Sequence, residues 1–317
     1  MIDTIHLLYD FNNHKELEDC IESMKERYSV DCYYRETSDN SKYSVRQFRC
    51  WDDGFKIWIT SNQLHLEGSL TKLYFGNNIQ QLNNKELAKA YELLISKFDL
   101  VDWTKAVHKR IDFGINVKLS FPPRLITNKI IGGKRMKKSV IKSSNESVTI
   151  GNNSQSMIFY NKTLESKGNT LITNKLGSVP DNLLRIEYRI MGTYPMKKYF
   201  GTDRLTIPYI LANLNLLPKI WYDRYLNIEK DYSNALDLFS NKKEMEMKAI
   251  LYFGLEPMKS LIIESYKAHK MPLSTKQNLL RYLRELTEYQ KINTGLNDIS
   301  KELDREVEMF LKKNLSD

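Results

Sequence analysis

The segment from Ser156 to Glu165 carries a tyrosine and a lysine at a spacing that suits chemistry on a phosphate ester. Met157 to Tyr160 are strand formers and follow a Gly-Asn-Asn-Ser turn. Alternation along a strand would place Tyr160 and Lys162 on one face. A phenol with a pKa near ~10 is a poor nucleophile until a cation favours the phenolate. Lys162 is well placed to be that cation or to hold a phosphate, although the stretch also fits an edge strand facing water.

Three other strand-like segments carry a polar residue within an apolar alternation. His65 and Glu67 share one face of the first, Asp112 lies in the second and Glu187 in the third. If one sheet collects these faces around Tyr160, three carboxylates and an imidazole surround a hydroxyl. Oxygen ligands of this kind suit Mg²⁺ or Mn²⁺, which predicts a divalent metal site.

Each of these polar residues also has a simpler interpretation. Glu187 is flanked by Arg185 and Arg189, and Asp112 lies two residues from Arg110, so both carboxylates fit ion pairs within the sheet. His65 fits a hydrogen-bonded strand histidine. The residue pattern alone leaves the metal site and the ion pairs as alternatives.

The elements that must position these residues are predicted from hydrophobic periodicity. Strand patterns and two capped helices, the second from Lys85 to Phe98 after Asn84, occupy the first two thirds of the chain. From about Leu205 only helical patterns follow. We therefore predict an α+β fold, with a β-rich nuclease domain of antiparallel sheet and flanking helices at residues 1–204, and an all-helical C-terminal region at 205–317.

The charge distribution favours a polyanionic partner. The formal net charge is +9, and residues 104–204 contain 19 Lys and Arg against 6 Asp and Glu, so the excess lies around Tyr160. A solvated basic face is the simpler alternative. The predicted DNA contacts come from strands, from a basic loop and from the segment after the Glu187 strand: Arg110, Lys134, Arg135, Lys137, Lys138, Arg185, Arg189, Lys197 and Lys198.

The chain has features of a cytoplasmic protein. Three cysteines without CxxC spacing indicate a reducing compartment. The first residues lack the basic and apolar regions of a signal peptide, and no apolar run approaches the ~20 residues that span a bilayer. We expect no contact with a membrane.

Four ordered motifs resemble the replication initiators of filamentous phages and related plasmids, the gene II/X type that starts rolling-circle replication. The first is Leu64-His-Leu-Glu-Gly-Ser-Leu-Thr-Lys-Leu-Tyr-Phe-Gly-Asn-Asn78. The others are Arg110-Ile-Asp-Phe113, Phe159-Tyr-Asn-Lys-Thr-Leu-Glu165 and Leu184-Arg-Ile-Glu-Tyr-Arg-Ile190. Their order and rough spacing agree with the family pattern from Leu64 to Ile190.

The resemblance implies a site-specific single-strand DNA endonuclease and strand transferase. Its tyrosine, here Tyr160, would attack the origin and become linked to a 5′ phosphate. Lys162 would then stabilise the phosphate or the phenolate. The same resemblance fixes the positions of Glu67, Asp112 and Glu187, which we expect to hold Mg²⁺ or Mn²⁺ together with His65. The implied partner is single-stranded or supercoiled origin DNA. A host helicase, a polymerase and a second copy of the chain are further candidates.

Several alternatives stay open beside this interpretation. Many rolling-circle initiators carry two histidines flanking one hydrophobic residue, and this chain has no such pair. A second strand transfer would need another group, for which Tyr188, Tyr194 and Tyr199 are nearby in sequence. A tyrosine recombinase would need an arginine-rich set near a C-terminal tyrosine, which is absent. The main competing function is a non-catalytic basic DNA-binding protein.

Overall fold

A large antiparallel sheet forms the centre of the fold. The computed structural model describes residues 1–36, 44–134, 138–140, 146–167, 179–230, 255–293 and 296–315. Ten strands form one sheet in the order β2-β3-β4-β5-β1-β6-β11-β10-β9-β8, while β7 and β12 form a small second sheet. The strands are β1 Ile2–Asp10, β2 Asp31–Glu36, β3 Ser44–Asp52, β4 Phe55–Thr60, β5 Gln63–Ser69, β6 Val107–Lys118, β7 Ile130–Gly133, β8 Lys138–Val140, β9 Ser147–Gly151, β10 Gln155–Asn161, β11 Leu183–Met191 and β12 Ile228–Lys230.

Helices connect the strands and make up most of the chain after residue 205. They are α1 His14–Arg27, α2 Leu70–Phe75, α3 Asn84–Lys97, α4 Arg124–Lys129, α5 Lys162–Lys167, α6 Thr193–Phe200, α7 Ile207–Ala212, α8 Leu216–Tyr225, α9 Leu255–Lys267, α10 Leu273–Asn293 and α11 Leu296–Leu315. The structure thus has the predicted fold class, with the short β12 as a strand inside the helical region. Within the described residues, no helix is long and apolar enough to cross a membrane.

The alternation of apolar and polar residues divides the sheet into two faces. One face, here called the covered face, carries buried side chains that include Ile111, Phe113, Ile186 and Tyr188. Helix α3 packs on this side, since Tyr91 bonds to His108 of β6 at 3.0 Å. Burying such a face supplies the main driving force for folding. The opposite face carries the polar residues and is called the polar face below.

The local signals of the sequence explain most element boundaries. Asn13 caps α1 by accepting a hydrogen bond from the Glu16 amide at 3.0 Å. Asn83, and not the predicted Asn84, caps α3, because the capping box with Glu86 begins one residue earlier.

A close backbone approach requires glycine at position 114 of β6. A Cβ atom there would lie 2.1 Å from the Ile186 carbonyl oxygen and 2.7 Å from the Glu187 Cα of the neighbouring β11. Glu187 is the register partner of Gly114. The absent side chain therefore lets β6 and β11 pair at the position where Glu187 emerges.

The chain divides into two compact units. Residues 1–229 with 307–317 form the first, and residues 230–306 form the second, in which Ile262 and Leu283 anchor a small core. Residues 205–229, assigned to the helical region in the sequence interpretation, lie in the first unit. This segment packs against β6. Leu205 and Ile207 are buried, and the Leu205 carbonyl accepts a hydrogen bond from the His108 amide at 2.9 Å.

Candidate functional site

The polar face collects the candidate residues from four adjacent or nearby strands. Strand register pairs Tyr160 of β10 with Arg185 of β11, and Arg189 of β11 with Asp112 of β6. Because residues paired across an antiparallel ladder share a face, the predicted arrangement of these side chains on one surface is present. Glu67 of β5 reaches the same surface, since its carboxylate accepts from Arg110 of β6 at 2.7 Å.

Alternating acids and arginines run across this face as a continuous series. Asp112 accepts from Arg110 (Nε to Oδ1, 2.9 Å) and from Arg189 (Nε to Oδ2, 3.0 Å). Arg189 approaches Glu187 at 3.5 Å, and Arg185 donates to Glu187 at 3.1 Å. We call this series the ion-pair chain; in order it comprises Glu67, Arg110, Asp112, Arg189, Glu187, Arg185 and Asp3.

Arg185 is the buried end of the ion-pair chain. Its guanidinium donates to Asp3 at 2.7 Å, to Glu187 at 3.1 Å and to Asn116 at 3.3 Å, and its side chain is only 2% exposed. These partners surround the group, so Arg185 does not reach the surface as the predicted DNA contact would require. A guanidinium buried with several acceptors holds its neighbours in place.

Asp3 is a site residue that the sequence analysis missed. A register shift between Ile2 and Thr4 marks a β-bulge in β1, and the carboxylate of Asp3 accepts from Ser69 at 2.5 Å and from Arg185. Burial by itself raises the pKa of Asp3, but Arg185 and Ser69 outweigh burial and bring the pKa below its ordinary value. Bulges re-aim side chains in this way. No residue pattern near the N-terminus signals it.

The Tyr160 side chain is half-buried beside Arg185. Within the described part of the chain, its hydroxyl has no hydrogen-bond partner. Burial raises the pKa of Tyr160 above its ordinary value, while the positive charge of Arg185 acts in the opposite direction. The phenol is therefore neutral in this state, and additional positive charge nearby would be needed to favour the phenolate.

Lys162 lies near Tyr160, but it does so from a helix and not from the strand position that was predicted. β10 ends at Asn161, so Lys162 is the first residue of α5 and not the next same-face position of the strand. Its ammonium is nevertheless 5.8 Å from the Tyr160 ring centroid. The ammonium donates to Glu165 at 2.6 Å, and burial lowers the pKa of Lys162 against the opposing effect of Glu165.

A sequence model of the family described as the N-terminal part of a replication-associated protein, the phage gene II protein, matches residues 1–207. This chain belongs to that family. The match confirms the resemblance drawn from the four motifs, and the matched range holds Tyr160, Lys162 and the whole ion-pair chain. A rolling circle replication initiator protein from Geobacillus stearothermophilus is a similar solved structure, with 13% identity, 70% of this chain and 78% of that chain covered, and a TM-score of 0.30. No curated protein matches the chain.

The carboxylates suit a divalent metal by chemistry but not by arrangement. Glu67, Asp112 and Glu187 offer the oxygen ligands that Mg²⁺ and Mn²⁺ prefer. Each of them accepts from a guanidinium group, and Asp112 accepts from two. Across the described residues, no group of three or more acidic, histidine or cysteine side chains could hold an ion. As they stand, these residues do not fit a metal ion, and the metal site stays a prediction.

His65 lies in an aromatic cluster beside the ion-pair chain. Its Nδ1 is 3.0 Å from Nε2 of His6, and its ring stacks on Trp58 with centroids 4.7 Å apart. Burial lowers the pKa of His65 to about 4 and that of His6 to about 3, so both rings are neutral near pH 7. Its predicted role as a metal ligand stays a prediction, and the contacts observed are those of a hydrogen-bonded strand histidine.

The predicted DNA contacts divide into three groups. Arg110 and Arg189 lie on the polar face, with side chains 19% and 32% exposed. Lys197 and Lys198 lie on α6, whose Tyr199 contacts Gln155 on the covered side. Lys134 is exposed at the end of β7, Lys138 contributes only its backbone to the described structure, and Arg135 and Lys137 fall outside the described residues.

Two of the other tyrosines near the Glu187 strand, Tyr188 and Tyr199, lie away from the polar face that carries Tyr160. Tyr188 is fully buried on the covered face, where its hydroxyl donates to Gln155 at 2.9 Å. Tyr199 donates to the same Gln155 oxygen at 2.6 Å. Tyr194 is 80% exposed on α6. A second nucleophile for strand transfer is therefore not supplied by Tyr188 or Tyr199 in this arrangement.

Proposed function

We propose that this protein is a site-specific DNA nicking and closing enzyme that initiates and terminates rolling-circle replication of a phage or plasmid. Membership of the replication-associated family supports the biological role. The observation that carries the chemistry is the Tyr160 hydroxyl, which has no hydrogen-bond partner in the described structure and lies on the polar face beside Arg185 and Lys162. A nucleophile needs a free oxygen and nearby positive charge.

The proposed reaction is an exchange of one phosphate ester for another. The Tyr160 oxygen forms a bond to phosphorus at the origin as the bond between phosphorus and the 3′ oxygen breaks. The tyrosine loses its proton, the 3′ oxygen gains one, and the protein stays joined to the 5′ phosphate. Because a phosphodiester is replaced by a phosphotyrosine diester, the exchange is close to reversible, and the same site can close the displaced circle.

The residues around Tyr160 have distinct proposed tasks. Arg185 holds a fixed positive charge beside the phenol oxygen and is itself held by Asp3 and Glu187. Lys162, which is fully buried and donates to Glu165, contributes a second positive charge 5.8 Å from the Tyr160 ring and so favours the phenolate. Preorganised charges of this kind need no rearrangement during the reaction. Among the arginines of the ion-pair chain, Arg110 and Arg189 are the two with side chains accessible to the DNA backbone.

The proposal extends to cofactor and partners. We also propose that the reaction requires Mg²⁺ or Mn²⁺, because Glu67, Asp112 and Glu187 have the oxygen ligands that these ions prefer. No step of the exchange described above depends on the ion. The DNA partner is a single-stranded or supercoiled origin. A host helicase, a polymerase and a second copy of the chain are further partners to test.

Covalent capture tests the central assignment. The full chain is incubated with 3′-labelled origin DNA, from the phage or plasmid that carries its gene, in the presence of Mg²⁺ or Mn²⁺. Label is then sought on the denatured protein and mapped by peptide mass spectrometry. We expect an adduct on the peptide that contains Tyr160. An adduct on Tyr194 would preserve the function and move the nucleophile.

The competing function, a non-catalytic DNA-binding protein, is supported by the saturated ion pairs of the polar face. A binding protein would retain DNA, tolerate Tyr160→Phe and give no adduct under any metal condition. Binding of origin DNA without covalent product across Mg²⁺ and Mn²⁺ concentrations would favour this alternative over the nicking enzyme.

A further inference from the structure

Three aromatic side chains lie together on the polar face, at the Glu67 and Arg110 end of the ion-pair chain. The rings of Trp58 and His65 are parallel, with centroids 4.7 Å apart, and the His6 ring lies 5.1 and 5.2 Å from them. All three side chains are half-buried, whereas the residues on either side of each one in sequence are buried. The three rings, here called the aromatic patch, therefore project from the sheet on the side away from its core.

Strand register connects the aromatic patch with the face that carries Tyr160. Five register partners form one row across neighbouring strands from β3 to β6: Trp51, Lys56, Glu67, His6 and Arg110. Trp51, at the outer end of this row, is 61% exposed. Glu67 and Arg110, at the inner end, begin the ion-pair chain, which continues toward Tyr160. The strand of Trp58, β4, is five strands from β10, so the patch lies about 24 Å across the sheet from Tyr160. An extended single strand of several nucleotides spans this distance.

Positive charges accompany the aromatic patch. The Lys56 ammonium lies over the Trp58 ring, 4.4 Å from its centroid, and the Arg110 side chain, on the strand beside His6, is 19% exposed. Surfaces that bind single strands combine cations that follow the phosphate backbone with rings on which successive bases stack. The flexible Lys56 side chain can move from the ring to a phosphate, and a base then takes its place on the Trp58 face.

We infer that the aromatic patch is a base-stacking site for single-stranded DNA, and that it holds nucleotides flanking the bond that Tyr160 attacks. This inference rests on the proposed function for the identity of the ligand. Bases in a duplex stack on one another and offer no free face, so the patch favours unpaired nucleotides. The site thereby selects origin DNA that is single-stranded or opened by supercoiling.

The test measures binding and does not depend on cleavage. The full-length protein is titrated against two fluorescein-labelled strands of about 16 nucleotides, near the upper limit of site sizes for single-strand-binding folds, and anisotropy is recorded. One strand is oligothymidylate, and the other has the same phosphates but abasic sugars. Trp58→Ala should weaken binding of oligothymidylate by roughly 5- to 100-fold, the loss of one base stack, and change binding of the abasic strand by no more than about twofold. A merely structural role of Trp58 would weaken binding of both strands equally.

Matched substitutions identify the ring as the cause. Trp58→Phe keeps an aromatic ring and should retain most of the affinity for oligothymidylate. Lys56→Gln should reduce the slope of log affinity against log salt by about 0.7, the value for one phosphate contact with a single strand. Tyr266→Ala is the control, because Lys276 lies over the Tyr266 ring at 4.2 Å and a similar pair of cation and ring is lost from the second unit; the affinity should not change. If Trp58→Ala does not fold, His65→Ala takes its place against the same two strands.

A second measurement locates the contact. Oligothymidylate carrying 5-iodouracil is irradiated in complex with the protein, and the crosslinked peptide is identified by mass spectrometry. We expect the peptide that contains Trp58 or His65. Crosslinks only to peptides outside β1, β4 and β5 would overturn the inference, as would equal losses of affinity for the two strands or equal responses of the Trp58→Ala and Tyr266→Ala proteins.

Failure of the proposed function is distinguishable, because covalent capture judges it separately. Base-dependent binding through the aromatic patch without any adduct would retain this site and reject the nicking enzyme. An adduct together with equal losses of affinity for the two strands would retain the nicking enzyme and reject this site.

Discussion

Tyr160 and Arg185 lie opposite each other on neighbouring antiparallel strands, so the phenol and the guanidinium share the polar face of the sheet. The charge of Arg185 favours the phenolate, whereas burial raises the pKa of Tyr160. Arg185 is fixed in turn by Asp3, a residue 182 positions away in sequence. The reactivity expected of Tyr160 thus depends on the contacts of its neighbour.

Replacing Tyr160 by phenylalanine should remove the covalent product while leaving DNA binding within about twofold, because only the reactive oxygen is lost. The measurements are label retention on denatured protein and anisotropy with the same oligonucleotide. Tyr194→Phe is the matched control, since Tyr194 is an exposed tyrosine on α6. Retention of the adduct in Tyr160→Phe would refute the assignment of the nucleophile.

Replacing Arg185 by methionine should destabilise the first unit by roughly 3–5 kcal/mol, because Asp3 would be left buried without a guanidinium partner and Glu187 would keep only the longer contact with Arg189. Urea denaturation followed by tryptophan fluorescence is a suitable measurement, since all four tryptophans lie within residues 1–229. Arg204→Met, at an exposed position, should change the free energy of unfolding by no more than about 0.5 kcal/mol. A loss below about 1 kcal/mol for Arg185→Met would show that the acids find other partners.

Stability should fall on acidification because of His108. Burial lowers the pKa of His108 from 6.5 to about 4, and the ring bonds to Tyr91 and to the Leu205 carbonyl. A depressed pKa means that the unfolded chain takes up the proton first. The contribution of neutral His108 to the free energy of unfolding is therefore complete above pH 6.5. As the pH falls toward 4, roughly 3 kcal/mol of this stability is lost.

Urea denaturation at a series of pH values, for the wild type and for His108→Gln, measures this contribution. The variant should be less stable at neutral pH, because it loses the His108 hydrogen bonds, but its free energy of unfolding should fall less steeply between pH 6.5 and 4. His6 and His65 remain in both proteins, so their titration cancels in the comparison. Parallel curves for the two proteins would rule His108 out as the titrating group.

Replacing Gly114 by alanine should destabilise the first unit by roughly 1–3 kcal/mol, because the methyl group would collide with the β11 backbone at Ile186. The displaced backbone would lie opposite Glu187, so the yield of covalent product should fall as well. Gly132→Ala is the control, because its nearest heavy atom is a flexible Glu229 oxygen at 3.4 Å. Equal effects of the two substitutions would contradict this account of the strand approach.

The sequence by itself determined the strands and their two faces. Period-two alternation in β6 and β11 separated Arg110, Asp112, Arg185 and Glu187 from the apolar residues, because side chains on a strand point alternately to opposite sides. The four ordered motifs also identified the family and the tyrosine beside its lysine.

The tertiary structure decided which polar residues meet and in what state. Strand order and register brought Glu67 to Arg110 across 43 positions, and a β-bulge turned Asp3 toward Arg185. These contacts are long-range, so no local pattern encodes them. They decide that the acids are paired with arginines in the free protein, because the partner of each buried charge depends on which strands become neighbours.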